Sequence, residues 1–106
     1  MRIAGAVNEG HTAREQLYHA TRSLAAGMGP LKARLRAALT PEVMALRAED
    51  FPRADLGRRF EAVVHELAPD QRAPLVLAQW WDFELSHIAE EIVDIYHQLA
   101  RQAEAD

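Results

Sequence analysis

Apolar residues return along this chain at steps of three and four. Ala13, Leu17, Ala20 and Leu24 form one narrow stripe with the period of an amphipathic helix. Thr12 with Glu15, in "TARE", has the form of a capping box, so the helix is expected to begin there. "GMGP", residues 27–30, ends it. Gly27 suits a left-handed C-cap, and Pro30 suits the first position of the next helix. In "PLKARLRAAL", Leu31, Leu35, Ala38 and Leu39 share a face, and Lys32, Arg34 and Arg36 spread around the remainder. Thr40-Pro41-Glu42 then makes a fresh N-terminus: a cap, a first-position proline and an acid in the first turn. The proline breaks or kinks the helix there, and "EVMALR" is expected to carry it on to about Arg47.

"AEDFPRAD" reads as a loop pinned to the core by Phe51-Pro52, with Asp55 as the cap of a third helix. Leu56, Phe60, Val63, Val64 and Leu67 are that helix's apolar face. After a second loop, "APDQRAP", the run "LVLAQWW" is apolar on all sides. Periodicity cannot separate strand from buried helix in so short a run. No second strand is evident to pair with it, so helix is expected. The last helix should run from about Asp82 to about Gln102. The fold class is all-α: a compact bundle of four principal helices plus short helical pieces. Residues 1–106 form a single domain, with 1–7 and 103–106 expected to fray.

Composition narrows the chemistry. The chain has 106 residues and no cysteine, which removes disulfides, thiolate nucleophiles and Cys-based metal sites. "GMGP" lacks the spaced glycines and Lys-Ser/Thr of a phosphate loop. The N-terminus has no long apolar stretch, so no signal peptide is read, and no run approaches a membrane span. A cytoplasmic location follows as the expectation. Eleven arginines against one lysine, with twenty alanines, point to a GC-rich bacterial genome. The net charge of −4 hides a dipole: residues 1–59 carry ten basic and six acidic residues, and residues 60–106 carry two and ten. Such a split is neutralised within the fold or against a partner.

The sharpest cluster is "HIAEEIVDIYH", residues 87–97. At about 100° per residue, His87, Glu90, Glu91, Asp94 and His97 fall in one arc with Gln98 and Arg101. The opposite arc holds Leu85, Ile88, Ala89, Ile92, Val93, Ile95, Tyr96, Leu99 and Ala100. Asp94-x-x-His97, with His87 and Glu91 at i, i+4, has the spacing of ligands in di-metal bundles. Those ligands face inward, however, whereas this set faces away from the apolar side. A solvated face is therefore the favoured reading, and a metal site at His87, Glu91, Asp94 and His97 is the alternative. Glu90 and Asp94 repel each other at i, i+4. Arginines from the basic half or from a second chain are expected to lie along the acids, with Arg34, Arg36, Arg58 and Arg59 as candidates.

"WWDF", residues 80–83, gathers three of the seven aromatics. Adjacent helical positions diverge, so one of Trp80 and Trp81 is expected in the core. The other is either exposed as an interaction anchor or buried under a loop. His11, His19 and His65 have no triad partners in the sequence, and Tyr18 and Tyr96 are expected at the core edge.

"GPLKARL", "LRAEDFP", "RRFEAVVHEL" and "AEEIVDIYHQLAR" together resemble a group of short uncharacterised bacterial helical proteins. These share a G-P-L-x-x-R-L start, a P-E-D-F-P-like loop, an R-F-E helix and an A-E-E-I-V-x-x-Y terminal helix. The resemblance covers about residues 13–101. Ala48 replaces the loop's proline, and Thr40-Pro41 interrupts the second helix. It implies a compact helical fold and no chemistry. "ELAPDQRAPLVLAQWWDFELSHIAEEI" also resembles the start of a bacterial sigma-factor DNA-binding region. Its would-be recognition helix lacks the turn glycine and is acidic, which phosphates repel.

The expectation is a non-enzymatic protein–protein interaction or assembly module, one able to self-associate into a homo-oligomer. Its interaction candidates are Trp80, Trp81, Phe83, Glu90, Glu91, Asp94, Arg34, Arg36, Arg58 and Arg59. No cofactor is expected, and the partner is a protein or a second copy rather than a membrane or nucleic acid. A metal-binding bundle and a small nucleic-acid-associated regulator are the alternatives.

Overall fold

Alanine, leucine and long polar side chains dominate this sequence, and all favour helix. The computed structural model describes residues 3–68, 77 and 80–105, with side chains at 12–68, 77 and 80–102. The described elements are all helical: α1 (Ile3–Ala26), α2 (Leu31–Ala38), α3 (Pro41–Met44), a 3-10 turn (Ala48–Asp50), α4 (Ala54–Leu67) and α5 (Asp82–Ala105). The all-α class holds, with four helices longer than two turns and two short pieces. Helices α1 and α5 pack on each other, and α2 packs on both. Helix α4 packs on α5 and on the 3-10 turn.

One cluster of buried side chains joins the five α-helices. Ala13, Leu17, Ala20 and Leu24 come from α1, and Leu56, Phe60, Val63, Val64 and Leu67 from α4. Leu85, Ile88, Ile92, Ile95 and Leu99 come from α5. These are the stripes that the three-and-four spacing picks out. Among the described residues no polar or charged residue is buried. Tyr18 and Tyr96, with ring centroids 5.9 Å apart, join α1 to α5 at the edge of the core.

Several boundaries differ from the sequence expectation. Helix α1 begins at Ile3, nine residues before the capping-box pattern at Thr12. A capping box satisfies N–H groups that lack an upstream carbonyl; once the helix continues upstream, the i−4 carbonyls serve instead. The helices also extend through residues expected to fray, 3–7 in α1 and 103–105 in α5. The left-handed glycine is Gly29, at φ 96°, and not Gly27. Gly27 serves another need: a Cβ there would lie 2.4 Å from the Ser23 carbonyl oxygen. Pro30 is the N-cap of α2 rather than its first residue.

Thr40 caps α3 as expected, its Oγ1 accepting from the Val43 N–H at 3.2 Å, with Pro41 at the first position. The helix stops after Met44 rather than at Arg47. Asp55 lies in the first turn of α4 rather than at its cap, which is Arg53. The Arg53 Nε donates to Asp55 Oδ1 at 3.0 Å, and that pairing lowers the Asp55 pKa.

The expected helix over 75–81 lies mostly outside the described residues. Leu77, Trp80 and Trp81 are described, and none is helical. Leu77 is nonetheless fully buried, and the Trp80 N–H closes a turn onto its carbonyl at 3.1 Å. Helix α5 starts afresh at Asp82 because Glu84 reaches back to accept from the Trp81 N–H at 2.9 Å. That is the acidic half of a capping box, with Trp81 as the N-cap. Asp82 and Glu84 also place negative charge at the positive end of the helix dipole.

Candidate functional site

Two acids of the acidic face of α5 are paired from within the same chain. Arg59, on α4, donates from Nε to Glu91 Oε2 at 2.7 Å and from Nη2 to Asp94 Oδ2 at 2.9 Å. Gln98, one turn after Asp94, donates to the same Oδ2 at 3.0 Å. The Glu91 and Asp94 hydrogen bonds hold the Arg59 pKa above its already high ordinary value. Arg59, then Gln98, hold Asp94 below the usual carboxylate range. Of the four candidate arginines, Arg59 alone joins these acids. Arg34 is spent elsewhere, and Arg36 and Arg58 are exposed. Glu90 is exposed as well, outside the clamp.

The clamp bears directly on the metal alternative. A guanidinium lies against Glu91 and Asp94, where a cation would have to sit, and like charge repels it. His87 and His97 are exposed. Among the described residues no group of three or more His, Cys, Asp or Glu is placed to hold a metal ion. The His/carboxylate spacing reflects the repeat of an amphipathic helix.

Residues of the short motifs quoted above hold the fold together. Arg34 of "GPLKARL" donates to the Leu24 carbonyl at 2.9 Å and the Gly29 carbonyl at 3.1 Å, satisfying the C-terminal end of α1. Asp50 of "AEDFP" accepts from the Arg47 N–H at 2.8 Å. Phe51 is buried against Phe60, with ring centroids 5.5 Å apart. In "RFE", Arg59 clamps α5, Phe60 fills the core, and Glu61 accepts from the Ala48 N–H at 2.8 Å. These side chains are committed internally, so a binding surface has to be built from others.

Among the described residues two surfaces stand out, apart from the isolated and 91% exposed Met28. The first is aromatic. Trp80 is half-buried and packs against the core, while Trp81 is 71% and Phe83 65% exposed at the start of α5. Neither tryptophan is fully in the core, and of the two readings left open for the second, exposure is the one observed, at Trp81. Trp81 is turned out at a helix cap, rather than by the 100° step between helical neighbours. Its backbone is fixed there by Glu84 and by the Leu85 N–H, which donates to the Trp81 carbonyl at 3.0 Å.

The second surface is a groove of about 1200 Å³ between α4 and the stretch from α2's end to the 3-10 turn. Leu39, Met44, Leu46 and Val64 supply its apolar lining, and Arg47 and Arg58 its cations. The groove exists because α3 stops after one turn and the chain doubles back to α4 at Gly57. A Cβ at Gly57 would lie 2.6 Å from the Ala48 carbonyl oxygen, so only glycine admits this approach. Among the groove residues, sequence reading singled out Arg58 alone as an interaction candidate. The available signal was helical geometry: Arg58 and Arg59 point about 100° apart, so they cannot both face α5.

A smaller groove of about 500 Å³ between α4 and α5 takes in Arg59, Glu84 and Glu91, which are already paired within the fold. Among the described residues, no helix is long and apolar enough to cross a membrane. No family model matches this chain, and neither a curated protein nor a solved structure matches it.

Proposed function

We propose that this chain is a non-enzymatic assembly module that self-associates through Trp81 and Phe83. The observation that carries the reading is their exposure, 71% and 65%, on a backbone fixed by the cap of α5. Tryptophan is enriched where binding energy concentrates, and a pre-fixed backbone lowers the ordering cost of binding. Arg34, Arg59, Glu91 and Asp94 are engaged in folding, whereas Trp81 and Phe83 stand as an exposed aromatic pair at one helix start. A cysteine-free, arginine-rich chain fits the cytoplasm of a bacterium, and that is where we place it.

Sedimentation velocity over a concentration series tests the reading. Wild type is expected to form larger species as concentration rises. Trp81→Ser should weaken the association roughly thirtyfold, corresponding to an anchor of about 2 kcal/mol. The fold should be unaffected, because surface substitutions usually change stability by no more than about 0.5 kcal/mol. A wild type that stays monomeric throughout, or a Trp81→Ser variant that assembles like wild type, would contradict the proposal.

A further inference from the structure

The groove on the far side of α4 has the chemistry to receive the aromatic end of a second copy. We infer that this module assembles head to tail, with Trp81 of one molecule seated in the α3–α4 groove of the next. The inference rests on the self-association through Trp81 proposed above and adds the surface that receives it. Shape is the first argument. The groove is open along one side and offers about 1200 Å³, above the range of about 300–1,000 Å³ usual for small-molecule sites. Leu39, Met44, Leu46 and Val64 offer apolar surface to an indole.

Charge is the second argument. Trp81 is followed by Asp82 and Glu84, and the groove carries Arg47 and Arg58. Asp82, Arg47 and Arg58 are all exposed and have no ion-pair partner among the described residues. The groove's own acid, Glu61, accepts from the Ala48 N–H as Glu84 accepts from the Trp81 N–H, and both keep their charge; the groove still carries two arginines against that one acid. An acidic, aromatic helix start therefore meets an arginine-bearing apolar groove, and each supplies what the other lacks. Such complementarity fixes orientation and speeds encounter, and salt weakens it. Because knob and groove are different surfaces, the contact is heterologous, and it grows into a ring or a filament instead of stopping at a symmetric dimer.

Mixing variants tests this on the intact chain. Trp81→Ser removes the knob and leaves the groove. Arg47→Glu/Arg58→Glu reverses the groove's charge at exposed positions, and Ala45→Trp, also exposed, fills it. Circular dichroism melts establish that each variant is folded; two groove variants keep the test available should one misfold. Each variant alone is expected to lose at least tenfold in self-association. An equimolar mixture of Trp81→Ser with either groove variant should restore a one-to-one complex, because one intact knob and one intact groove remain. Groove variants that assemble like wild type would overturn the inference while leaving the Trp81 reading standing. Monomeric variants that fail to pair on mixing would overturn it as well. Assembly of Trp81→Ser like wild type would remove both readings together.

Discussion

Arg58 and Arg59 are neighbours on α4, and their surroundings have almost nothing in common. Arg59 lies against α5, both arms of its guanidinium taken by Glu91 and Asp94. Arg58 stands at the groove, exposed and without an ion-pair partner among the described residues. One residue of helical rotation separates a side chain that joins two helices from one offered to solvent. The flank of α4 toward α5 is closed by complementary charge. The flank toward α3 is held open by the 3-10 turn, which is fastened to α4 at Gly57 and Glu61. A run of like charges in a helix therefore does not have one role: the packing on each side of the helix assigns it.

The most severe way to break this division is to remove what both flanks rest on. Phe60 is fully buried beneath them. Phe60→Ala should cost about 3–5 kcal/mol, read as a fall in the denaturant midpoint with the slope unchanged. Next is the fastening of the groove flank. Gly57→Ala gains about 0.5–1 kcal/mol from backbone entropy, but its Cβ meets the Ala48 carbonyl oxygen at 2.6 Å and the Ala48 Cα at 2.8 Å. Overpacking against backbone costs about 1–3 kcal/mol, so net destabilisation is expected. A thermal melt checks it: at about 4–8 °C per kcal/mol for a domain near this size, the midpoint should drop by several degrees.

The remaining predictions concern the clamp. Arg59→Ala should destabilise by about 1 kcal/mol, toward the upper end for partly exposed pairs because two carboxylates lose their partner. Arg58→Ala should leave the denaturant midpoint within about 0.5 kcal/mol of wild type. The smallest effect is in acid. Asp94 is held below its ordinary pKa of 3.8 by Arg59 and Gln98. Its contribution is thus complete above that value and fades as pH falls through the lower folded pKa. Denaturation midpoints measured below pH 4 should decline less steeply in Asp94→Asn than in wild type.

Much of the core was legible because burial follows period. The stripes Leu56–Leu67 and Leu85–Leu99 are read from spacing alone and are buried in the structure. The acidic face of α5 was also legible, together with its need for a cation. Which cation was legible only in part: with Leu56, Phe60, Val63, Val64 and Leu67 inward, Arg58 points about 180° from that stripe and Arg59 about 80° from it, but the stripe does not say that α5 lies on the Arg59 flank. Leu77 shows a related limit: its burial shows in the apolar run, whereas the turn closed on it by the Trp80 N–H and the cap that Glu84 supplies to α5 do not. The groove left no periodic trace. It arises from a break in helix and a close approach at Gly57, and both are relations between distant segments.

The division of α4 is tested most directly by reversing each arginine separately. Arg58→Glu and Arg59→Glu are to be unfolded side by side with denaturant, at a protein concentration low enough to suppress association. Arg59→Glu places a third negative charge between Glu91 and Asp94, and its midpoint should fall clearly below wild type. Arg58→Glu should superimpose on wild type. Equal losses in the two variants, or a larger loss for Arg58→Glu, would contradict the assignment of one flank to folding and the other to a binding surface.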